Sequence, residues 1–144
     1  MLNRDWIAAH IPHQGSMCLL HSVLEWDDQR IVCEATGHVA PEHPLRAQGR
    51  LGAAVGVEYA AQAMAVHGAL RVSDEKPIRQ GYLTSVRGLK LYVDRLDNLS
   101  GPIRVSAQWL SGDARLVLYQ FELEHDGMCL MAGRASVVMD AQAL

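Results

Sequence analysis

The chain opens with two short apolar segments that are separated by a polar turn. Residues 17–26 (MCLLHSVLEW) form an apolar run of strand length, and residues 30–36 (RIVCEAT) alternate between apolar and polar side chains. Asp27, Asp28 and Gln29 lie between the two segments. Short runs of this kind, joined by a polar turn, are typical of paired antiparallel strands. The pattern therefore predicts an opening hairpin.

The apolar spacing changes over residues 52–70, which we predict to form the principal helix. Apolar side chains recur there at intervals of three and four residues, the period of one helical face. They are Val55, Tyr59, Ala63, Val66 and Leu70. The other positions are mostly alanine and glycine, small residues that suit a helix closely surrounded by a sheet. A polar stretch at residues 73–77 is predicted to end the helix.

Strand patterns dominate the rest of the chain. Residues 103–109 and 117–124 alternate between apolar and polar side chains, as half-buried antiparallel strands do. Residues 81–93 predict a further long strand, kinked at Gly88. Turn residues separate these segments, so each strand is expected to pair with its neighbours in an antiparallel sheet.

The dipeptide Asp126-Gly127 is the strongest turn signal in the chain. It lies between apolar segments at residues 121–125 and 128–132, where a two-residue turn predicts a tight hairpin. The predicted order is strand, strand, long helix and about four strands. Curling one antiparallel sheet around such a helix is the common way to bury it. We therefore predict an α+β fold with about six strands around one long central helix, in a single domain of residues 1–144.

Composition and charge narrow the functional classes. The formal net charge of −3 provides no basic field for nucleic acid. Charged and histidine residues interrupt the N-terminal segment, which lacks the apolar core of a signal peptide, and no stretch is apolar enough to span a bilayer. A cytoplasmic protein without an integral membrane segment is expected. Cys18, Cys33 and Cys129 are widely spaced among apolar neighbours and are expected to be reduced thiols.

Glu58 is the unusual residue of the predicted helix, since it carries a carboxylate into a run of alanine, glycine and valine. Burial disfavours the charged form, so apolar surroundings are expected to raise the pKa of Glu58 and make it a proton donor near neutral pH. Gln62 follows four residues later on the same helical face and could position the carboxyl group or bind a substrate. Alternatively, Glu58 lies on a solvated strip or makes a structural hydrogen bond at a subunit interface.

His43 lies in a loop bracketed by Pro41 and Pro44, which restrict the backbone and could aim the imidazole. Histidine is the usual base at neutral pH, although a loop histidine is often simply solvated. Residues 49–52 lead into the predicted helix, whose first N–H groups could polarise a substrate carbonyl. A base, an acid and an oxyanion donor are thus candidates within one short segment.

The sequence contains no motif that indicates a metal site or a nucleotide site. None of the seven histidines forms an HExxH pair, and the cysteines lack the CxxC spacing of zinc sites. The glycine-rich residues 49–56 match neither GxGxxG nor a P-loop. We therefore expect neither a metal nor an organic cofactor.

The stretches HPLRAQGRL and GVEYAAQAMAVHGAL resemble the active-site region of hotdog-fold 3-hydroxyacyl-(acyl carrier protein) dehydratases. Those proteins carry a His-Phe-Pro loop, a Pro-Gly helix start, and an acidic residue followed four residues later by Gln. The matching pieces here are His43-Pro44-Leu45, Leu51-Gly52 and the Glu58–Gln62 spacing. Together with IPHQGSMCLL, they are most similar to the subgroup of hotdog dehydratase-like proteins encoded with aryl polyene lipid biosynthesis.

The resemblance implies the elimination of water from a 3-hydroxyacyl thioester on acyl carrier protein. In that scheme His43 removes the α-proton, an N–H of Gly52 or Ala53 binds the enolate-like oxygen, and Glu58 protonates the departing hydroxyl, with Gln62 beside it. No metal or other cofactor is implied. Family members are dimers whose sites combine His and Glu from different chains, so a homodimer or a heterodimer with another hotdog chain is expected.

Departures from the family pattern leave alternatives open. Pro44-Leu45 and Leu51-Gly52 replace the usual Phe-Pro and Pro-Gly, and the segment from His43 to Glu58 is one residue longer. His38 is the alternative base if the loop alignment shifts. A hotdog thioesterase, with Glu58 activating water, and a non-catalytic or partner-dependent subunit are the rival functions.

Overall fold

The computed structural model describes residues 2–13, 15–71, 81–113 and 115–139. One sheet contains seven strands, which we number in chain order. They are β1 (Leu2–Asn3), β2 (Ser22–Trp26), β3 (Arg30–Ala35), β4 (Gly81–Leu91), β5 (Ile103–Gly112), β6 (Leu116–His125) and β7 (Met128–Met139). Two α-helices accompany the sheet, α1 (Arg4–His10) and α2 (Gly56–Arg71). Single 3₁₀ turns cover Gly15–Met17, Gly37–Val39 and Ala53–Val55.

The sheet is antiparallel, with the strand order β1-β2-β3-β5-β6-β7-β4. This agrees with the prediction of one antiparallel sheet around a central helix, and the two-residue β1 brings the number of strands to seven rather than about six. Helix α2 packs against strands β3, β4, β5 and β6. Strand β4 lies at one edge of the sheet, although it follows the helix directly in the chain.

Helix α2 is buried along most of its length because its side chains are small. Tyr59, Ala60, Ala63 and Val66 are fully buried against the concave face of the sheet. Gly56 begins the helix at a position where a Cβ atom would collide with the sulfur of Met131 on β7. The predicted helix, residues 52–70, matches the 3₁₀ turn and α2 together. Its predicted polar end at residues 73–77 lies outside the described residues.

The hairpin signals correspond to the observed turns. Asp126 and Gly127 join β6 to β7 with φ values of 50° and 80°, as a type I′ hairpin turn requires. Gly88 has a φ of 62° where the pairing of β4 with β7 shifts between Arg87 and Lys90, so the predicted kink is a bulge.

The first predicted strand is shorter than its apolar run. Strand β2 begins only at Ser22, and residues 18–21 lie outside regular structure, where Gln62 of α2 binds the backbone of Met17 and Leu19. Helix α1 was not predicted; Asn3 caps it by accepting a hydrogen bond from the Trp6 N–H. Within the described part of the chain, no helix is long and apolar enough to cross a membrane.

Candidate active site

The His43 loop packs on the side of helix α2 that carries Tyr59. His43 is 8% exposed, and its Nε2 lies 3.0 Å from the Tyr59 hydroxyl. The Leu45 N–H donates to His43 Nδ1 at 3.1 Å. Since Nδ1 accepts that hydrogen bond, the neutral ring carries its proton on Nε2 and donates it to the Tyr59 oxygen. Both ring nitrogens are therefore bonded within the chain.

Arg46 braces the loop that carries His43. Its guanidinium donates to the backbone oxygens of Ala40 at 3.0 Å, Gly49 at 3.1 Å and Val39 at 3.3 Å. It also lies 3.6 Å from the carboxylate of Asp97, which is 5% exposed. The prolines are predicted to restrict this loop. The guanidinium of Arg46 restricts it further, because it binds three backbone carbonyl groups of the loop.

Burial lowers the pKa of His43 below its ordinary value, and the charge of Arg46, and that of His38 once it is protonated, lower it further. The imidazole is therefore neutral at pH 7, the protonation state that a base requires. Both ring nitrogens of His43 are already hydrogen-bonded inside the chain. One of these two bonds must break before the ring can accept a proton from a substrate.

His38, the alternative base, occupies a different environment. It is 1% exposed, and its Nε2 lies 2.8 Å from the Leu99 carbonyl oxygen in the loop before β5. Burial lowers the pKa of His38. Its Nδ1 is buried and has no hydrogen-bond partner among the described residues. His43, by contrast, contacts Tyr59 of helix α2 and lines the cavity beside it.

Glu58 binds two donors at one oxygen. The His13 Nε2 lies 2.9 Å from Glu58 Oε1, and the Gln62 amide donates to the same oxygen at 3.3 Å. The expected rise in the pKa of Glu58 is wrong. The pKa of Glu58 is lowered, because the hydrogen bond from His13 outweighs burial and the side chain is still 34% exposed. The Glu58 side chain is therefore a carboxylate at neutral pH in this chain.

Gln62 is fully buried and ties the N-terminal segment to helix α2. Its Oε1 accepts the Leu19 N–H at 2.8 Å, and its Nε2 donates to the Met17 carbonyl at 2.7 Å as well as to Glu58. Both amide hydrogens are thus used. This arrangement fits the role of positioning the carboxyl group better than direct contact with a substrate.

Gly52 and Ala53 differ in the availability of their N–H groups. The Ala53 N–H donates to the Asp94 carbonyl at 3.0 Å, and the Leu96 N–H donates to the Leu51 carbonyl at 2.8 Å. Gly52 lies between these bonds, opposite Arg95, as a non-hydrogen-bonded antiparallel pair. Its N–H therefore points away from the Asp94–Leu96 segment, and a Cβ atom there would meet open space. Among the described residues the Gly52 N–H has no hydrogen-bond acceptor, so Gly52 is the available one of the two predicted oxyanion donors.

A cavity of about 190 Å³ lies beside His43 and Tyr59. Its lining includes Cys18, His21 and Glu42 but not Glu58. Successive residues of an α-helix point about 100° apart, so Glu58 and Tyr59 serve different sides of α2. Within the described residues of one chain, no hydrogen bond or ion pair joins His43 to Glu58.

Sequence reasoning missed three residues around the two candidates: His13, Arg46 and Tyr59. Tyr59 was counted only as part of the apolar face, and His13 only as part of the opening motif. A residue 45 positions from Glu58 gives no local signal of contact, so only the path of the N-terminal segment brings His13 to the helix. In the described ranges, no group of three or more His, Cys, Asp or Glu side chains is arranged to hold a metal ion.

Comparisons with known proteins agree with this architecture. The sequence model of the ApeP-like family, described as ApeP dehydratase, matches residues 6–144. No curated protein matches the chain. A solved structure of the dehydratase heterocomplex ApeI:P from Xenorhabdus doucetiae aligns with a TM-score of 0.81 at 21% identity, covering 99% of this chain and 94% of that one.

Thioesterases with solved structures are also similar. A Staphylococcus aureus thioesterase aligns with a TM-score of 0.61 at 13% identity, covering 83% of this chain and 92% of that one. A Pseudomonas aeruginosa thioesterase gives the same TM-score at 15% identity, covering 84% and 81%. At these identities the likeness shows the fold alone. The prediction of a hotdog fold is confirmed.

Proposed function

We propose, since the chain belongs to the ApeP-like dehydratase family, that it takes part in dehydrating a 3-hydroxyacyl thioester on acyl carrier protein. The product would be the trans-2-enoyl thioester, formed in fatty acid or aryl polyene lipid biosynthesis. The observation that carries this proposal is the family match over residues 6–144, which includes the His43 loop and the Glu58–Gln62 pair.

The position and hydrogen bonds of each candidate residue support its role in this reaction. His43 is the proposed base: it is neutral, buried and braced by Arg46, and it would remove the proton α to the thioester carbonyl. The N–H of Gly52, which has no acceptor within the described part of the chain, would bind the developing enolate oxygen. Glu58 is a carboxylate in the isolated chain, so it would first take up a proton in the assembled site and then give it to the 3-hydroxyl group, so that the C–O bond breaks and water leaves. Gln62 would position Glu58, and no metal or other cofactor takes part.

The proposed site combines two chains, which the geometry of one chain supports. His43 and Glu58 belong to different hydrogen-bonded groups, and Glu58 does not line the cavity beside His43. Strand β4 ends the sheet and exposes several large apolar side chains. These are Tyr82, Leu83, Leu89 and Leu91, with Tyr92 just beyond the strand. An edge strand with such side chains is suited to pairing with another hotdog chain.

The partner chain could be a second copy or a different hotdog subunit. The solved ApeI:P protein is a heterocomplex, which supports a different subunit for this chain as well. Each alternative gives a distinct stoichiometry, and acyl carrier protein would be a third, transient partner that delivers the acyl chain.

The test is to incubate the pure chain, alone and with a candidate hotdog partner, with 3-hydroxyacyl and acyl thioesters of acyl carrier protein. Mass spectrometry of the carrier protein then separates loss of water from loss of the acyl group. Loss of water from the 3-hydroxyacyl thioester is the expected result. The proposal is wrong if neither the chain nor the mixture removes water.

Hydrolysis is the second candidate function, because Glu58 is a carboxylate at neutral pH in this chain. A carboxylate can activate water, and thioesterases share the fold. Release of free acid from both thioesters, with no enoyl product, would favour this candidate. Activity that appears only when a partner chain supplies its own His and Glu would favour a non-catalytic subunit.

A further inference from the structure

One face of helix α2 binds the N-terminal segment of the chain at two successive turns. Gln62 binds the backbone of Met17 and Leu19 at 2.7 and 2.8 Å. One turn earlier, His13 from the same segment lies 2.9 Å from Glu58. Because the buried Gln62 amide fixes the path of this segment, it also fixes where His13 meets the helix.

The contacts of Glu58 distinguish its two oxygens. His13 and Gln62 both bind Oε1, and no hydrogen bond to Oε2 is found among the described residues. His13 is the ionisable side chain that acts on Glu58 within those residues, and Gln62 carries no charge. Oε2 is therefore the oxygen available to a substrate.

The surroundings of His13 favour one tautomer of its neutral imidazole. Its Nδ1 is buried without a hydrogen-bond partner in the described part of the chain. A proton on Nδ1 would be a buried donor with no acceptor, which costs more than a bonded one. The neutral ring with its proton on Nε2 avoids this cost and directs that proton to Glu58 Oε1.

We propose that His13 is a positioning residue for the dehydration: it orients the Glu58 carboxyl group so that Oε2 carries the proton to the departing hydroxyl. This inference rests on the proposed function. In the step itself, the Oε2–H bond breaks as an O–H bond forms to the 3-hydroxyl oxygen. The C–O bond breaks, water leaves, and Glu58 remains as a carboxylate that accepts the His13 N–H more strongly.

The same contact sets the proton affinity of Glu58. A donor bound to the charged form lowers the pKa of a carboxyl group, so His13 makes Glu58 a stronger acid. If His13 is removed, Glu58 should hold its proton to higher pH. A general acid must be protonated to act, so the limb of the pH profile that Glu58 controls should then move to higher pH.

The test compares His13→Leu, which removes the donor, with His13→Gln, which retains a side-chain N–H. His10→Gln is the matched control, because His10 binds the Trp6 carbonyl and does not contact Glu58. Carbon-13 NMR, with the Glu58 signal identified by Glu58→Gln, gives the carboxyl titration of each folded variant. In parallel, kcat/KM for the 3-hydroxyacyl thioester is measured against pH, with the partner chain where activity requires it.

We expect His13→Leu to move the Glu58 titration, and the limb of the kcat/KM profile that Glu58 controls, to higher pH. The plateau value of kcat/KM should fall on the order of ten- to a hundredfold, the worth of one hydrogen bond to a charged group. His13→Gln should recover part of both changes, and His10→Gln should alter neither.

The outcomes separate this inference from the proposed function. An unchanged Glu58 titration in His13→Leu overturns the inference, whatever the activity. A shifted titration with an unchanged pH profile of an active enzyme also overturns it, since the contact would then be structural only. The titration could shift in a protein that never removes water, alone or with a partner. That result overturns the proposed function and, with it, the catalytic part of the inference. The His13–Glu58 contact would then be a structural one.

Discussion

At the residue scale, the candidate base and the candidate acid depend on neighbours that hold them in specific states. His43 is neutral, with both nitrogens bonded, and Glu58 is ionised, with both donors on one oxygen. Neither residue is ready for its proposed step in the isolated chain. The proposed chemistry therefore needs a rearrangement that substrate or a partner chain would bring about.

Replacing either proposed catalytic group should abolish most of the turnover. His43→Ala removes the base and Glu58→Gln removes the acid, and general acid–base groups contribute about 10²- to 10⁴-fold each. Steady-state dehydration of the 3-hydroxyacyl thioester measures the loss, and circular dichroism checks that the fold is retained. Full activity in either folded variant would show that the assigned residue is not catalytic.

Tyr59→Phe tests the internal contact of His43. Removal of the hydroxyl leaves the buried Nε2–H without its acceptor, so the free energy of unfolding should fall by about 1–3 kcal/mol. Urea unfolding measures this change, and nitrogen-15 NMR of the imidazole reports the tautomer. Tyr92→Phe is the control, because Tyr92 is 59% exposed. Equal stability in the two variants would contradict a stabilising hydrogen bond between His43 and Tyr59.

The residue scale was also the hardest to predict from the sequence. Glu58 and Gln62 stood out because a helical period places them on one face, and His43 because prolines bracket it. The pKa of Glu58 was predicted in the wrong direction, since burial was visible in the composition and the His13 donor was not. Contacts between residues far apart in the sequence depend on the path of irregular segments, which carry no periodic pattern.

At the element scale, helix α2 and the edge strand β4 determine what the chain can assemble with. The helix was predictable because its apolar residues follow a helical period. The hairpin between β6 and β7 was predictable because Asp126-Gly127 suits its turn. Helix α1 and strand β1 were missed, since seven and two residues are too short for a periodic signal.

Charged substitutions on β4 should separate the proposed dimer without unfolding the chain. Leu83 and Leu91 are 39% and 46% exposed, and lysine at a sheet edge opposes pairing with another strand. We expect the double variant Leu83→Lys with Leu91→Lys to elute as a monomer, as measured by light scattering after size exclusion. Met128→Lys is the control, because Met128 is 67% exposed at the start of β7. A double variant that still associates as the parent does would place the interface elsewhere.

At the scale of the whole molecule, three buried histidines connect separate parts of the fold. His67 on α2 accepts from the Tyr119 hydroxyl at 2.8 Å and donates to the Asp27 carbonyl at 2.7 Å. His38 and His43 bind the loop before β5 and the central helix, respectively. Burial lowers the pKa of all three below the ordinary histidine value of 6.5.

The free energy of unfolding should therefore decrease as the pH falls below 6.5. The unfolded chain takes up protons at these histidines from about pH 6.5 downward, whereas the folded chain keeps them neutral until lower pH. Their contribution is fully present above pH 6.5 and is lost through the range between the unfolded and folded pKa values. Urea unfolding at pH 7.5, 6.5 and 5.5 measures the trend.

The variant His67→Gln should flatten that dependence, because glutamine can replace the two hydrogen bonds without titrating. Glu58, Asp97 and Asp113 also have lowered pKa values, but their protonation lies at more acidic pH than this range. A free energy of unfolding that stays constant or rises from pH 7.5 to 5.5 would contradict the neutral state of the buried histidines.

The placement of Glu58 and Tyr59 on adjacent positions of α2 constrains how this fold can diverge. One inserted or deleted residue in the first turn of the helix would rotate everything beyond it by about 100° relative to the sheet. Such a change would break two contacts at once, the one between Tyr59 and the His43 imidazole and the one between Glu58 and His13. Length variation among natural or engineered relatives should therefore accumulate in the turns between strands, while the interval from Gly52 to Gln62 stays constant in length.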